Sequence, residues 1–554
     1  MELTNKRVLV VGLGKSGKAA ALFLQERGAR VTVSDSRSAE ALASEIPDLL
    51  DAGVMVETGG HGLMTFRKQD LIVVSPGVPY DMPELQQART LGLPIIGELE
   101  LASHYLRGKV VAITGSNGKT TTTSLLGKIF ADAGRATLVG GNIGTPVIDL
   151  IAESIRLSGG GGQGQEQGQG QEQGQEQGQE QGQGQGQEQG QEQRQRFWLR
   201  QNDALKESDG PDVDDGPNAS AGPDANGGPN ASDGPDTNDG PNASDGPDAS
   251  AGPDVNDAAT VWSILEVSSF QLETVVTFRP HIALVLNITP DHLDRHGTFE
   301  NYASMKAHIT AKQTAEDFFV LNAEDKPTQM LAALTKAQVY WFSGKRPVKQ
   351  GAFVHGESVV FIAREGAWPE PVMPVSEIPI KGAHNVENVL AAVCAARLAG
   401  ISPESIRASV AGFKAVEHRL EFVAKVRGVD FYNDSKATNV DATKKALEAF
   451  AGGVHLILGG KDKNSDYTEL AELIRARVKT VYTIGSAAQK IERHLAGVVK
   501  IVSAGTLEVA VKTAAADAVA GDVVVLAPAC SSFDQFTGYE QRGRVFKELV
   551  KGLA

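Results

Sequence analysis

This sequence of 554 residues contains few cysteines and no long run of apolar residues. Its two cysteines, Cys394 and Cys530, have no metal-ligand spacing and exclude a disulfide framework, which is typical of a reducing compartment. No apolar run approaches the roughly 20 residues that span a bilayer, and the N-terminal residues lack a signal-peptide pattern. We therefore expect a cytoplasmic protein without membrane insertion.

Basic residues are also in deficit. The chain has 53 Lys and Arg residues against 68 Asp and Glu residues, which gives a formal net charge of −15. Nucleic-acid binding requires basic surfaces that neutralise the phosphate backbone. We therefore expect no nucleic-acid partner, although part of the acidity lies in one segment of biased composition.

That segment, residues 154–258, consists mainly of two low-complexity tracts. Ser158–Arg196 repeats Gly, Gln and Glu, and Ser208–Asp257 cycles through units rich in Gly, Pro, Asp and Asn. Such tracts lack the apolar residues that would offset the entropy of ordering. We predict one disordered insertion, which is dispensable because loop-closure entropy grows only logarithmically with length.

Outside this segment, strand and helix patterns alternate along the chain. Short apolar runs are followed by amphipathic helices, such as Lys15–Arg27, which stops at Gly28. This alternation favours a parallel sheet, because each helix carries the chain back to the start of the next strand. We predict three α/β units in series, with strands at Arg7–Val11, Arg30–Ser34, Lys109–Thr114, Ile282–Leu286, Val454–Leu458, Val481–Ile484 and Val523–Ala527.

The first strand-to-helix turn carries a glycine-rich motif. Gly12, Gly14 and Gly17 have the spacing of a dinucleotide-binding turn, and Asp35 ends the next strand, where such sites contact a ribose. Taken alone, the motif predicts an NAD-dependent enzyme. The same glycines would let the diphosphate of a nucleotide sugar approach the backbone amides, and a tight turn without a ligand remains a third interpretation.

The second turn has the pattern of a phosphate-binding loop. Residues 114–121, Thr-Gly-Ser-Asn-Gly-Lys-Thr-Thr, follow a strand and open a helix, so backbone amides would surround phosphates. Lys119 would then reach the β and γ oxygens, and Thr120 would face Mg²⁺. Ile113 stands where the usual pattern has its first glycine, so a coincidental glycine turn remains an alternative.

Two further strand ends carry acidic residues and histidines. Glu266 ends a strand where a P-loop sheet would hold a second metal ligand; alternatively, it is a solvated residue before a helix capped by Ser268 and Ser269. Residues 291–296 place two aspartates and two histidines after another strand, at the edge where α/β sheets bind ligands. The cluster therefore favours a site, whereas Lys306, one helix further on, would by itself be assigned to the surface.

Loops in the last third of the chain carry cations and hydroxyl groups beside predicted strands. Such groups can hold an acidic substrate by its carboxylates. Each loop alone is also compatible with an ordinary solvated surface. The loops are His418-Arg419, Tyr432–Asn439, Gly459–Lys463 and Ala527–Tyr539.

Taken together, these motifs resemble the Mur ligase family. They are TGSNGKTT at 114–121, GNIG at 141–144, LEVSSFQLE at 265–273, TPDHLDRH at 289–296, GAHNVEN at 382–388, EHR at 417–419, NDSKATN at 433–439, LGGKDK at 458–463 and PACSSFDQF at 528–536. The motifs span nearly the whole chain outside the insertion. Those at 434–439 and 528–536 resemble the family member that adds D-glutamate, rather than other members or folylpolyglutamate synthases.

The resemblance implies an α/β fold of three domains. These are a Rossmann-like UDP-binding domain at 1–97, a central P-loop ATPase-type domain with a parallel sheet at 98–415, and a C-terminal Rossmann-like domain at 416–554 for the amino acid and ATP. It also resolves the first motif against NAD and in favour of a UDP-linked substrate. The positions matched to that substrate are Leu13, Lys15, Ser16, Asp35, Ser36, Arg37, Ser75, Gly77 and Asn142.

The resemblance assigns the remaining site residues as well. The ATP positions are Gly115, Ser116, Asn117, Gly118, Lys119, Thr120, Thr121, Asn388, Arg419 and Asp434. The D-glutamate positions are Lys436, Thr438, Lys463, Ser532 and Tyr539. Metal ligands would be Thr120, Glu266, His292 and Lys306, the last as a carbamate, and the catalytic residues would be Lys119, His292 and Lys306.

The implied reaction joins D-glutamate to UDP-N-acetylmuramoyl-L-alanine with ATP and two Mg²⁺ ions, through an acyl phosphate and a tetrahedral intermediate. We expect a monomer. Three alternatives remain at this point: another amide ligase of the same fold, an NAD-dependent dehydrogenase built on Gly12–Asp35, and a P-loop regulatory module that forms no bonds.

Overall fold

The computed structural model describes residues 1–142, 144–159, 260–414, 416–462 and 464–553, with only the backbone of Asp294. Within these residues, three mainly parallel sheets follow one another along the chain, which confirms the predicted fold class. Residues 160–259, most of the predicted insertion, lie outside the described residues. Among the helices of the described residues, we find no candidate membrane-spanning segment.

The first sheet has five parallel strands in the order β3-β2-β1-β4-β5. Its strands are β1 Arg7–Val11, β2 Arg30–Asp35, β3 Met55–Thr58, β4 Leu71–Val74 and β5 Ile95–Gly97. Its helices are α1 Lys15–Glu26, α2 Ile46–Asp51, α3 Leu63–Arg67 and α4 Pro83–Thr90, with a 3₁₀ turn at Glu40–Leu42. The strand order reverses between β1 and β4, so the turns that begin at Gly12 and Ser75 form a crevice.

The central sheet has nine strands in the order β14-β13-β12-β11-β10-β9-β6-β8-β7. Its strands are β6 Lys109–Thr114, β7 Thr137–Gly141, β8 Trp262–Glu266, β9 Ile282–Val285, β10 Phe318–Asn322, β11 Gln338–Ser343, β12 Gly351–His355, β13 Ser358–Ile362 and β14 Glu370–Pro374. The last two strands pair antiparallel, an extension that the sequence did not indicate. Because β6 lies between β8 and β9, the ends of those two strands flank the P-loop.

Helices connect and cover these strands. They are α5 Glu98–Ser103, α6 Lys119–Asp132, α7 Leu150–Ser158, α8 Ser269–Leu272, α9 Leu293–His296, α10 Phe299–Ala307, α11 Lys326–Leu331, α12 Ala383–Leu398 and α13 Pro403–Ala411, with 3₁₀ turns at His308–Thr310, Ala332–Leu334 and Val375–Glu377. Leu125, Leu126, Ile129 and Phe130 of α6 are buried, and Phe130 meets Trp262 of β8 edge-to-face with ring centroids 5.1 Å apart. Burying one such aromatic side chain is worth about 1.5–3 kcal/mol, so the P-loop helix is firmly anchored.

The third sheet has six strands in the order β15-β16-β20-β17-β18-β19, with only the β15–β16 pair antiparallel. The strands are β15 Glu421–Val426, β16 Val429–Asn433, β17 Val454–Gly459, β18 Val478–Ile484, β19 Lys500–Gly505 and β20 Val523–Leu526. The helices are α14 Val440–Glu448, α15 Ala471–Arg477, α16 Ala488–His494, α17 Leu507–Asp517 and α18 Tyr539–Lys551, with a 3₁₀ turn at Tyr467–Leu470.

The predicted insertion begins too early at residue 154. Helix α7 continues to Ser158, and Leu150, Ile151 and Ser154 are buried along it. Ser154 Oγ also donates to the carbonyl of Ile151 at 2.7 Å and accepts from the amide of Arg107 at 3.2 Å. The buried apolar residues of this helix therefore place residues 154–158, which the prediction assigned to the insertion, in the fold.

A buried glutamate lies where the chain passes from the first sheet into the central domain. Strand β5 leads at Gly97 directly into α5, where Glu98 is 2% exposed. Its Oε1 accepts a hydrogen bond of 3.0 Å from the amide of Ile148 in the central domain. Burial raises the pKa of Glu98 to about 7, against the opposing effect of that amide. The fold therefore favours the neutral acid at this junction.

Replacing Glu98 with glutamine is expected to stabilise the protein above pH 7 and to change little near pH 4. Because the pKa is raised from 4.5 to about 7 in the folded state, the stabilisation from Glu98 is complete below pH 4.5 and is lost as the pH rises through about 7. This difference corresponds to at most about 3 kcal/mol in the free energy of unfolding. Calorimetric melting temperatures of both proteins across this pH range would measure it.

Glu100 is the matched control on the same helix. Its carboxylate accepts hydrogen bonds from the amides of Val276, Thr277 and Phe278 and from the Thr277 hydroxyl. Glu100→Gln replaces an acceptor oxygen with a donor and should lower the melting temperature at every pH. A Glu98→Gln protein that is destabilised equally at pH 5 and pH 8.5 would show that Glu98 is ionised in the fold.

Candidate active site

The turn between β6 and α6 is held in one conformation by its neighbours. Gly118 has φ +84°, which glycine adopts without strain, and a Cβ there would lie 2.2 Å from Asn388 Oδ1. Asn287, just after β9, accepts from the Asn117 amide at 2.8 Å and donates to the Asn117 carbonyl at 3.1 Å. Contacts from Asn287 and Asn388 therefore fix the conformation of this P-loop.

Glu266 lies beside the start of α6. Its Oε2 accepts from the Thr120 hydroxyl at 2.8 Å, and its Oε1 accepts from the Asn142 side chain at 3.0 Å. Arg419 of the C-terminal domain donates to the same Thr120 hydroxyl at 2.5 Å. Ser268 does cap the next helix, but Glu266 is 2% exposed, so its interpretation as a solvated residue is wrong.

Two lysines converge on one carbonyl of the P-loop. Lys119 Nζ donates to the carbonyls of Gly115 at 2.7 Å and Ser116 at 3.0 Å, and Lys306 Nζ donates to the Gly115 carbonyl at 3.0 Å. Lys306 is 1% exposed, so its assignment to the surface is wrong. Burial lowers the pKa of Lys119, and burial together with the charge of Lys119 lowers the pKa of Lys306 far below its usual value. The site therefore disfavours two positive charges at these positions.

His292 stands at the N-terminus of α9 in a strained backbone conformation, with φ +52°. Its side chain is 46% exposed, and its Nε2 lies 3.6 Å from Asp291 Oδ2. The ring of Phe270 meets the imidazole edge-to-face at a centroid distance of 4.9 Å. Left-handed backbone is uncommon outside glycine and is concentrated at functional sites. The geometry thus holds an accessible imidazole near the P-loop.

A cleft of about 1030 Å³ connects all three domains. From the central domain it is lined by Thr120 and Glu266, and from the C-terminal domain by Lys436 and Tyr539. All nine positions predicted for the UDP-linked substrate line it: Leu13, Lys15, Ser16, Asp35, Ser36, Arg37, Ser75, Gly77 and Asn142. One ligand could therefore extend from the first sheet to the P-loop.

The N-terminal end of this cleft is organised around Asp35. Its carboxylate accepts from the Leu13 amide at 2.6 Å and from the Arg37 amide at 2.8 Å, and it forms an ion pair with the Arg37 guanidinium. Burial raises the pKa of Asp35, but these hydrogen bonds outweigh it and lower the pKa to about 2. The carboxylate that an NAD site would offer to a ribose is thus already engaged by the chain itself.

A second cavity of about 250 Å³ lies between the P-loop and the C-terminal domain. Asn117 Nδ2 donates across this junction to Asp441 Oδ2 at 2.7 Å, and Lys381 Nζ donates to the Tyr432 hydroxyl at 2.7 Å. Burial raises the pKa of Asp434 in its wall to about 7. Most of the predicted ATP positions line this cavity, namely Ser116, Asn117, Gly118, Thr121, Asn388, Arg419 and Asp434, and His292 lies there too.

Lys436 lines both cavities. Its Nζ lies 3.9 Å from the centroid of the Tyr539 ring, a cation–π distance. Burial and the nearby charge of Arg419 lower the pKa of Lys436 to about 8. Thr438 lines the smaller cavity, Ser532 is 2% exposed and lines neither, and Lys463 lies outside the described residues.

Arg542 is a residue of this region that the sequence analysis did not identify. It is fully buried, and its guanidinium donates to the Ser435 hydroxyl at 2.9 Å and to the carbonyls of Ser435 at 2.8 Å and Cys530 at 3.2 Å. It therefore ties the loop before Lys436 to the loop after β20. The sequence pattern could have indicated its burial, because Arg542 has helical spacing with the buried Phe546 and Val550.

Three family models match the chain. They are described as Mur ligase MurD-like, N-terminal domain, at residues 6–97; Mur ligase middle domain, at 235–396; and Mur ligase, glutamate ligase domain, at 418–530. A curated relative from Acidobacterium capsulatum is 54% identical over 99% of this chain and 97% of its own length. The chain therefore belongs to the Mur ligase family.

That relative is named UDP-N-acetylmuramoylalanine–D-glutamate ligase. A relative with the same name from Koribacter versatilis is 50% identical over 100% of this chain and 99% of its own. Among solved structures, the UDP-N-acetylmuramate-alanine ligase MurC of Thermotoga maritima matches with a TM-score of 0.50 and 16% identity, over 99% of this chain and 100% of that chain. At that identity the structural match establishes the three-domain fold and not the substrate.

Proposed function

We propose that this chain uses ATP to join D-glutamate to UDP-N-acetylmuramoyl-L-alanine, the activity for which its relatives are named. The observation that carries the proposal is the continuous cleft from the Gly12–Gly17 turn to Thr120 and Glu266, with Lys436 and Tyr539 on its far side. A nucleotide-linked acid bound along it would bring its carboxylate to the P-loop, where the γ-phosphate of ATP would lie.

The reaction proceeds in two steps. An oxygen of the alanyl carboxylate attacks the γ-phosphorus of ATP, the bond to ADP breaks, and an acyl phosphate forms. The amine of D-glutamate then attacks the carbonyl carbon, loses a proton, and the tetrahedral intermediate collapses with release of phosphate. Lys119 exchanges its contacts with Gly115 and Ser116 for the phosphate oxygens and neutralises their charge.

The residues at the start of α6 fit a magnesium ion. Mg²⁺ prefers oxygen ligands and commonly uses one or two carboxylates together with substrate phosphates. The Thr120 hydroxyl and the buried Glu266 carboxylate provide such oxygens side by side. The described residues contain no group of three or more His, Cys, Asp or Glu that could hold a metal. Its chemistry would be to offset phosphate charge.

A second ion would use His292 and Lys306. An ammonium group cannot ligate a metal, so Lys306 would first react as the neutral amine with CO₂, giving a carbamate and a proton. Its enclosed position beside the Gly115 carbonyl favours the neutral amine. The carbamate would replace a repelling charge with a hard oxygen ligand.

The two cavities support a separate position for each substrate. ATP would occupy the smaller one, bounded by Asn388, Arg419 and Asp434. D-glutamate would be held by Lys436 and Tyr539 together with Thr438 and Ser532, and Lys463, which lies outside the described residues, is proposed for this site from the family resemblance alone. The catalytic set of Lys119, His292 and Lys306 would lie between the two substrates. The proposed setting is a cytoplasmic monomer that takes part in peptidoglycan precursor synthesis.

The test is phosphate release from ATP and Mg²⁺ with UDP-N-acetylmuramoyl-L-alanine, with and without D-glutamate. We expect release to require both substrates and to fail with L-alanine or meso-diaminopimelate in place of D-glutamate. Release with one of those amino acids instead would reassign the substrate within the family. Release without any amino acid would favour the nucleotide-binding module, and reduction of NAD would favour the dehydrogenase.

A further inference from the structure

Arg295 reaches from the central domain into the N-terminal domain. It lies on α9, and its Nη1 donates to the carbonyl of Pro76 at 2.8 Å. Its Nη2 donates to the carbonyl of Val78 at 2.9 Å and to Glu273 Oε2 at 2.7 Å. One guanidinium therefore binds two carbonyls of the first domain and one carboxylate of the second.

The guanidinium is fixed in this position on several sides. Its side chain is 17% exposed and that of Glu273 is 12% exposed, so the ion pair is shielded from water. The ring of Phe270 lies against the guanidinium, at 4.2 Å from the ring centroid to the central carbon of the group. A lysine could not make the same contacts. The planar guanidinium directs two nitrogens toward three acceptors, whereas the ammonium of lysine is a point charge on a flexible chain.

The turn that Arg295 contacts, residues 75–78, lines the N-terminal end of the cleft. Ser75 Oγ donates to the Gly12 carbonyl at 2.7 Å, and a Cβ on Gly12 would lie 2.6 Å from the side chain of Val78. Arg295 itself follows His292 by three residues. The Gly12–Gly17 turn and residues 75–78 together form what we call the N-terminal cradle, the proposed site for the UDP end of the substrate. The contact thus links this cradle to the segment beside the P-loop.

We infer that Arg295, held by Glu273, is the positioning residue that sets the N-terminal cradle at a fixed place relative to the phosphoryl-transfer site. The inference rests on the proposed function, in which the acid and ATP are bound by different domains. Their reacting atoms can meet only if those domains keep one relative placement, and an error of about 1 Å can cost roughly 10²-fold in rate. Arg295 touches neither substrate in this role.

The test compares Arg295→Lys, Arg295→Ala and the wild-type enzyme. We expect kcat to fall about 10²-fold in both variants. The Kd for UDP alone, measured by titration calorimetry, should stay within about twofold, because the cradle keeps its own residues. Glu273→Gln keeps an acceptor oxygen for Arg295, so its kcat should fall less than that of the Arg295 variants. The control is Arg279→Lys, since Arg279 pairs with Asp317 inside the central domain.

Distances between spin labels provide a readout that does not depend on activity. Cys394 and Cys530 are buried, so labels would go on cysteines introduced at the exposed Ser44 and Lys336. We expect one narrow distance distribution in the wild type and a broad one in Arg295→Ala. An unchanged distribution, or full kcat in Arg295→Lys, would overturn the inference. A wild type with a narrow distribution but no D-glutamate-dependent phosphate release would instead refute only the proposed function.

Discussion

Replacing Lys119 with alanine is expected to reduce phosphate release in the presence of both substrates by about 10³-fold or more, without unfolding the protein. A single preorganised group that stabilises developing charge is worth roughly 10²–10³ in kcat, and Lys119 is a full charge in an enclosed site. Lys119 contributes little to the free energy of unfolding. Burial lowers the pKa of Lys119, and its ammonium group bonds to two carbonyls of its own loop. Melting temperature should therefore stay unchanged or rise slightly.

The matched control for this change is Lys128→Ala. Lys128 lies on the same helix and forms an i,i+4 pair with Asp132 at 2.7 Å, with both side chains partly exposed. Such a pair contributes about 0.3–0.5 kcal/mol, so this variant should keep full activity. A Lys119→Ala enzyme that lost less than tenfold in kcat would show that another group neutralises the transferred phosphoryl group.

Local structure was predicted most closely at two buried strands that end in a glycine turn, whereas β18 begins three residues before its predicted start at Val481. The bounds of β1 at Arg7–Val11 and of β6 at Lys109–Thr114 agree residue for residue with the prediction, and α1 ends one residue early, at Glu26. In these elements the apolar pattern and the turn residues predict the same boundaries, so contacts with distant residues are not needed to set them. The predicted domain boundaries at 97 and 415 stay predictions.

Local sequence patterns alone did not predict which residues far apart in the sequence come into contact. Thr120 and Glu266 bond to each other across 146 positions of sequence because β6 and β8 are neighbours in the sheet. Strand order is a property of the whole sheet and leaves no local pattern. Knowledge of a family's motifs supplied these partners, whereas spacing and periodicity could not.

Residue patterns alone did not find the charged side chains that act inside the fold: only the family resemblance named Lys306, and no role was predicted for Arg295 or Arg542. Sequence patterns place lysine and arginine at the surface by default, since they are rarely fully buried without partners. Lys306, Arg295 and Arg542 depart from that rule because carbonyls and carboxylates from separate segments surround them. Those partners come from other domains or loops, so only the three-dimensional structure reveals them.

Replacing Lys306 with methionine is expected to abolish ligase activity and to raise stability. Methionine fills nearly the same space without the cost of enclosing an amine whose pKa is lowered by burial and by Lys119. It cannot react with CO₂, so the oxygen ligand that we propose for the second Mg²⁺ would be missing. We expect a loss of at least about 10²-fold in kcat, comparable to the removal of one preorganised charge-stabilising group.

The carbamate makes a second, independent prediction for the unaltered enzyme. Its activity should fall in buffer stripped of CO₂ and recover when bicarbonate is added, whereas the exposed-site control Lys312→Met should behave like the wild type in both conditions. Lys306→Met should not respond to bicarbonate. If the wild type works equally well without CO₂ while Lys306→Met is inactive, the lysine acts as an amine, and its contact with the Gly115 carbonyl becomes the basis of its role.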